Sequence, residues 1–319
     1  MSHLLSPRFI IGLWVVAAVL SGCGTTNRPA LATATPADDL LSKILARGTI
    51  VMATDPGYPP QSERVPDAVR PPHTKCAPNE ATAQEFRGFD IAVAVEVAKR
   101  LGVEPCFVTP QWSQLIAGNW DGRWDISIGS MTITEERMKV LYFGQPYYST
   151  PVAFFVHKDN TRFAQPSDLS GHQIGTCTGC AYEDYLHGRL SMPNNPVTLM
   201  VQDAQIVSYQ VDVPALEDLA VGDGVNLDAV ITGQPTGLQA IKNGLAIRQL
   251  GEPVFYEFLA PAFDKKSNQD ARGLAARVSE LIQQMHADGA LVNFSQTHFA
   301  MDYTTVASQF DIAPLGQLP

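Results

Sequence analysis

Runs of β-forming residues alternate with amphipathic stretches along most of this chain, and that alternation limits the fold more than any other feature. Thr49–Thr54 is a β-rich run, and Asp55-Pro56-Gly57-Tyr58-Pro59-Pro60 after it reads as a rigid loop. Phe89–Leu101 places Ile91, Val95, Ala98 and Leu101 at helical spacing, with Gly102 just past the end as a stop signal. Glu104–Val108 reads as a strand, Trp112–Trp120 as a helix and Trp124–Ile128 as a buried strand, with Trp120 and Trp124 in the core. Thr132-Ile133-Thr134-Glu135 has the form of a capping box opening the next helix. Further strands are expected at Val152–Val156, His172–Cys177, Thr198–Val201 and Leu227–Thr232, with helices at Gly179–His187 and Pro214–Ala220. Ile247–Leu250 begins a return. Asp270–Asp288 is a long amphipathic helix carrying Leu274, Val278, Leu281, Ile282 and Met285, and Gly289–Phe299 is another. Residues 62–85 are polar, Pro-containing and aperiodic, which predicts a surface loop. Strands alternating with helices imply an α/β architecture with mostly parallel sheets. A chain of 319 residues is long enough for two domains with substantial cores.

The N-terminus predicts export. Arg8 precedes an apolar run, Phe9–Leu20, of signal-peptide length and too short to span a bilayer comfortably. Leu20-Ser21-Gly22-Cys23 then resembles the bacterial lipobox, in which the Cys thiol accepts a diacylglyceryl group and becomes the new N-terminus. The alternative is an ordinary signal peptide with an incidental Cys23. Two or three acyl chains on one residue would hold the protein firmly on a membrane. The expected layout is a signal peptide at 1–22 and a lipidated tether at 23–37, rich in Thr, Ala and Pro. The protein would then face the periplasm or the cell exterior. The formal net charge is −10, and removing residues 1–22 takes away one Arg and no acid, leaving −11. A negative field of that size, with no basic run to override it, excludes nucleic acid as a natural partner.

Export permits disulfides. Of five cysteines, one is the expected anchor, and Cys76, Cys106, Cys177 and Cys180 remain, with three possible pairings. Cys76–Cys106 is favoured because it would staple a loop to a strand. Cys177 and Cys180 form a lone C-x-x-C, read as a local disulfide or two free thiols. No further ligands stand at zinc spacing, so no metal and no cofactor are expected.

An ordered set of segments carries a resemblance to a known family. These are Gly48-Thr49-Ile50-Val51-Met52-Ala53-Thr54-Asp55, Tyr58-Pro59-Pro60, Gly88-Phe89-Asp90-Ile91, Trp124-Asp125-Ile126 and Gly129-Ser130-Met131-Thr132-Ile133-Thr134-Glu135-Glu136-Arg137. Phe143-Gly144-Gln145-Pro146-Tyr147, Asp288-Gly289-Ala290-Leu291 and Phe299 complete it. The chain resembles the family 3 bacterial extracellular solute-binding proteins, the polar-amino-acid receptors of ABC importers. The resemblance implies a two-lobe, periplasmic-binding-protein-like (type II) fold with mixed, mostly parallel sheets and a two-strand hinge. Lobe one would comprise 38–150 plus 249–319, and lobe two 151–248. The chain would be a monomer that takes a small carboxylate-bearing ligand from solution to a membrane permease.

The same resemblance assigns a site. Arg137 would grip the ligand's carboxylate through two parallel N–H donors, a geometry Lys cannot copy. Gly129, Ser130 and Thr132 stand at a strand end running into a helix start, where backbone N–H groups favour an anion. Tyr58 matches a residue that stacks on the ligand and Trp112 an aromatic wall, while Asp55 lies near the ligand's side chain. On lobe two, Cys180, Ala181 and Tyr182 would offer backbone N–H groups. Thr232 and Gly233 stand where family members that bind amino acids commonly place an acid for the α-ammonium. Gly233 departs from that pattern, so Thr232, Gln234 or an acid from elsewhere (Asp184, Asp203 or Glu257) must serve, or the ligand lacks that group. Two other functions fit the same residues: a ligand-sensing lipoprotein without an importer, and a dehydratase-like enzyme, which would need a general acid beside its leaving group.

Overall fold

The computed structural model describes residues 39–316. The signal peptide expected at 1–22 and the tether with Cys23 lie outside the described residues.

Two sheets organise the chain. The first runs Ala81–Thr82, Glu104–Val108, Thr49–Ala53, Ile126–Ser127, Ala262–Asp264 and Leu141–Phe143. Thr49–Ala53 pairs in parallel with both of its neighbours, whereas Ala262–Asp264 enters antiparallel. The second runs Gln205–Tyr209, Gln173–Cys177, Ala229–Gly233, Tyr148–His157 and Ile247–Leu259, parallel among its first three strands and antiparallel thereafter. This is the expected α/β, two-lobed fold with mixed sheets. The chain passes from sheet to sheet twice, after Phe143 and after Leu259. The strands that adjoin those crossings, Tyr148–His157 and Ile247–Leu259, pair with each other over most of their length.

Each sheet is covered by helices whose apolar stripes match the sequence periodicity. Helix Phe89–Leu101 buries Phe89, Ile91, Val93, Ala94, Val97 and Ala98, and Gly102 in the left-handed region caps it. Helix Arg272–Ala287 buries Leu274, Val278, Leu281, Ile282 and Met285 against the same core. Each such fully buried side chain contributes about 1.5–3 kcal/mol. A second core gathers Phe154, Ile174, Tyr185, Leu186, Ile231 and Leu250. Trp120 and Trp124 are buried, as expected. No helix among the described residues is long and apolar enough to cross a membrane.

Several local expectations are corrected. The helix at Trp112 ends at Ile116, because Gly118 and Asn119 both take positive φ and turn the chain away. Thr198–Val201 is not a strand. Its β-forming composition is real, but Leu199 and Met200 point into solvent, and Gln205–Tyr209 is the run that pairs beside Gln173–Cys177. The helix cap belongs to Thr134, whose hydroxyl accepts from the Arg137 backbone N–H at 3.2 Å, and not to Thr132. Residues 62–85 contain two short strands, and the Cys76–Cys106 disulfide ties this segment to strand Glu104–Val108. Cys177 and Cys180 are bonded to each other.

Helix Gln234–Lys242 packs so closely on the second sheet that a Cβ at Gly237 would lie 2.0 Å from the ring of Phe155. Phe155 is fully buried and has nowhere to move. Gly237→Ala is therefore expected to lower stability by about 1–3 kcal/mol through overpacking, read from urea unfolding midpoints.

Candidate ligand-binding site

The ends of parallel strands converge on one cavity. From the first sheet come Asp55 and Tyr58 after Thr49–Ala53, Trp112 after Glu104–Val108, and Gly129, Ser130 and Thr132 after Ile126–Ser127. Arg137 joins them from the short helix Glu135–Met138. From the second sheet come Cys177, Cys180, Ala181 and Tyr182 after Gln173–Cys177, and Gln210 and Asp212 after Gln205–Tyr209. The carboxyl ends of parallel strands are where open α/β sheets place their ligands.

The two sides touch across this cavity. The Trp112 indole N–H donates to the Gly179 carbonyl at 3.1 Å, and Arg137 donates to the same carbonyl at 3.1 Å. The Tyr58 and Tyr182 hydroxyls are 2.7 Å apart. The cleft is closed.

Arg137 is 5% exposed and stands 5.3 Å over the Trp112 ring. Its other hydrogen bond goes to the Thr132 carbonyl at 3.1 Å. Among the described residues no carboxylate comes within ion-pair distance of it. Burial pulls its pKa down, against the opposing fields of Asp184, Glu257 and Tyr182. A buried guanidinium with only carbonyl partners is an uncompensated charge, which an incoming carboxylate would neutralise.

The remaining charges are acidic. Glu257 is fully buried in strand Ile247–Leu259 and accepts from the Thr132 hydroxyl at 2.6 Å and the Tyr182 hydroxyl at 2.8 Å. Burial raises its pKa. Asp212 opens helix Asp212–Ala220, is 4% exposed, and accepts from the Thr232 hydroxyl at 2.5 Å. Burial, with Asp55 and Glu257 nearby, raises it to about 7. Asp55 accepts from the Gly57 N–H at 2.9 Å and is raised by burial. Behind the wall, Asp90 accepts from Ser130 and Tyr147, and burial lifts it to about 7.

All the residues expected at the site line the cavity except Thr232 and Gly233, which stand behind Asp212 and Tyr58. Ser130 does not offer its donors to an anion. Its N–H goes to the Tyr147 hydroxyl at 3.0 Å and its own hydroxyl to Asp90 at 2.6 Å. Gly233 has a steric reason: a Cβ there would lie 2.1 Å from the Tyr58 hydroxyl oxygen. The phenol fills the space an acidic side chain would need. Of the other acceptors considered, Gln234 is outside the cavity lining and donates its amide N–H to Gln249, Asp184 is paired with Arg189, and Asp203 is exposed. Asp212 and Gln210 were not anticipated. The misplaced strand at 198–201 hid them, because only a strand ending at Tyr209 makes 210–212 a strand-end loop.

Two α/β lobes closed over a polar cleft at their strand ends define a two-lobed ligand receptor. The family model for bacterial extracellular solute-binding proteins, family 3, matches residues 72–301. The chain belongs to that family. It is 26% identical over 268 residues to the L-cystine-binding protein TcyJ of Escherichia coli K12, covering 84% of this chain and 88% of the relative. It is 26% identical over 256 residues to an L-arginine-binding protein of Pseudomonas aeruginosa, covering 77% and 85%. Among solved structures it resembles an ancestral amino acid-binding protein, AncCDT-1, described as a precursor of cyclohexadienyl dehydratase, with TM-score 0.65 and 25% identity over 82% of this chain and 99% of that one.

Proposed function

We propose that this protein is the extracytoplasmic receptor of an ABC importer for an amino acid or related small carboxylate. The observation that carries this reading is the buried Arg137, which lines the cleft and, among the described residues, has no acidic partner at ion-pair distance. The names of the relatives support it. Lobe one, 38–150 plus 249–319, and lobe two, 151–248, would open and close on the paired strands Tyr148–His157 and Ile247–Leu259 and so signal occupancy to a permease. The protein would work as a monomer on a lipid anchor at Cys23.

A thermal-shift screen of amino acids and simple organic acids tests the receptor. Saturation at 100 times the dissociation constant adds about 2.7 kcal/mol of stability, which moves the melting temperature visibly. A screen in which nothing shifts it rejects the reading. Turnover of a prephenate-like substrate would point instead to an enzyme on this fold. For the anchor, Cys23→Ser is expected to move the protein from the membrane fraction into the soluble one, read by fractionation and blotting. A variant that stays with the membrane argues against lipidation.

A further inference from the structure

Both disulfides are shielded in the closed protein: Cys76 is 6% exposed, Cys106 0%, and Cys177 and Cys180 7% each. What shields them differs. Cys76 and Cys106 pack among Val51, Leu115, Trp120 and Trp124, all on the side of the first sheet. Cys177 and Cys180 line the ligand cavity from the side of the second sheet. The carbonyl of Gly179, between them, accepts from the Trp112 indole and from Arg137 at 3.1 Å, both on the far wall of the cleft. A Cβ at 179 would stand 3.1 Å from Ile116 Cδ1 and 3.6 Å from Trp112 Cδ1. The cover over this bond is therefore the opposite wall. Parting the walls breaks both hydrogen bonds and opens the loop to solvent, while the surroundings of Cys76 and Cys106 stay as they are.

Resting on the receptor reading above, we infer that Cys177–Cys180 is a thiol-exchange site inside the ligand cleft: small thiols reduce it when the walls part, and its reduction weakens ligand binding. The reactant is a low-molecular-weight thiol that fits the cleft. Its thiolate attacks Cys177 Sγ, forms a mixed disulfide there and expels Cys180 as a thiolate. The Thr176 hydroxyl, 3.6 Å from Cys180 Sγ, can donate to the expelled sulfur. Arg137, bonded to the carbonyl between the two cysteines, sets a positive charge against the same loop and favours thiolate there. A second thiolate then attacks the small-molecule sulfur of the mixed disulfide and frees Cys177. Two thiols leave as one small disulfide, and their two protons and two electrons end on Cys177 and Cys180.

Reduction acts on closure through the loop. Hydrogen bonds from the Thr178 N–H to the Tyr209 carbonyl and from the Gly179 N–H to Glu183, each 2.7 Å, hold its outer edge. The covalent bond holds its two ends together. Reduced sulfurs cannot remain at bonding distance, so the loop must spread. The Gly179 carbonyl then loses its aim at Trp112 and Arg137, and the closed state loses both cross-cleft bonds. The coupling is reciprocal: a bound molecule that keeps the walls together keeps thiols out. With opening fast relative to attack, the reduction rate falls with the open fraction, about tenfold at ten times the dissociation constant.

The test uses the purified protein, dithiothreitol as the thiol, and the L-amino acids other than cysteine supplied singly. Timed samples are alkylated, digested and read by peptide mass spectrometry, which follows each disulfide separately. Without amino acid, Cys177–Cys180 is expected to be reduced at least about tenfold faster than Cys76–Cys106. An amino acid that raises the melting temperature is expected to slow that rate about tenfold at ten times its dissociation constant. Protein reduced at Cys177 and Cys180, with Cys76–Cys106 intact, is expected to bind the same amino acid at least about tenfold more weakly by calorimetry. The Cys177→Ser, Cys180→Ser double variant is expected to match it and to ignore dithiothreitol. If that variant does not fold, the wild-type rates and the affinity of the selectively reduced protein decide alone. Reduction of Cys177–Cys180 no faster than of Cys76–Cys106 overturns the exchange site, and so does a binding amino acid that leaves its rate unchanged. Reduced protein that binds within about threefold of the oxidised form overturns the coupling. If no amino acid shifts the melting temperature, the receptor reading fails by itself, and the ratio of the two reduction rates still decides the exchange site.

Discussion

Replacing Arg137 with Ala is expected to weaken binding of any compound that scores in the screen by about 2–5 kcal/mol. The guanidinium lines a closed cleft, 5% exposed, with two carbonyls as its hydrogen-bond partners and, among the described residues, no carboxylate at ion-pair distance. Water cannot replace it there, so a bound carboxylate would lose its counter-charge outright. Arg137→Lys is expected to recover only part of the loss, since an ammonium cannot present two parallel donors. Stability should respond differently. The charge is unpaired in the empty protein, so removing it should leave the melting temperature of the ligand-free form nearly unchanged. Isothermal calorimetry and thermal melts on the same samples separate the cases. An Arg137→Ala protein that binds normally but melts much earlier would make Arg137 a structural residue and end the carboxylate assignment.

The second large effect concerns stability. Converting both Cys76 and Cys106 to Ser is expected to lower the unfolding free energy by about 3–4 kcal/mol. The bond joins residues 30 apart and closes a loop that includes helix Phe89–Leu101. The tie ends in strand Glu104–Val108, where Cys106 is fully buried. Cross-linking a chain mainly restricts the unfolded state, and the benefit grows with the length of the closed loop. Cys177–Cys180 encloses a separation of only 3, so the same argument gives it far less stability. Its loop instead holds the Gly179 carbonyl that accepts from Trp112 and Arg137. Losing that bond is expected to change ligand affinity more than the urea midpoint. Equal midpoints for wild type and the Cys76→Ser, Cys106→Ser double variant would refute the entropic account.

Much of the architecture was legible from local rules. The stripe in Phe89–Leu101 and the glycine that stops it are properties of neighbouring residues, and the helix formed where they said. The lobed fold and most of the cavity wall came from the ordered motifs. The failures share a cause. Thr198–Val201 is as β-prone as Gln205–Tyr209, and only the edge offered by Gln173–Cys177 chose between them. That single displacement concealed Asp212. Gly233 was visible as a departure, but its reason lies in Tyr58, far away in the chain and 2.1 Å away in space from where a Cβ would stand.

The sequence by itself indicated most helices, most strand-rich runs and the α/β class, because these depend on side-chain type and on spacing along the chain; the expected anion grip at Arg137 came from the family resemblance. Tertiary structure decided the charge state of the cleft. A carboxylate's proton affinity depends on burial and on its neighbours, and those neighbours come from distant segments: Thr132 for Glu257, Thr232 for Asp212, Ser130 for Asp90. No local pattern encodes which of several acids will be buried without a cation. Among the described residues Asp90, Asp212 and Glu257 are all buried with hydroxyl partners and no ion pair.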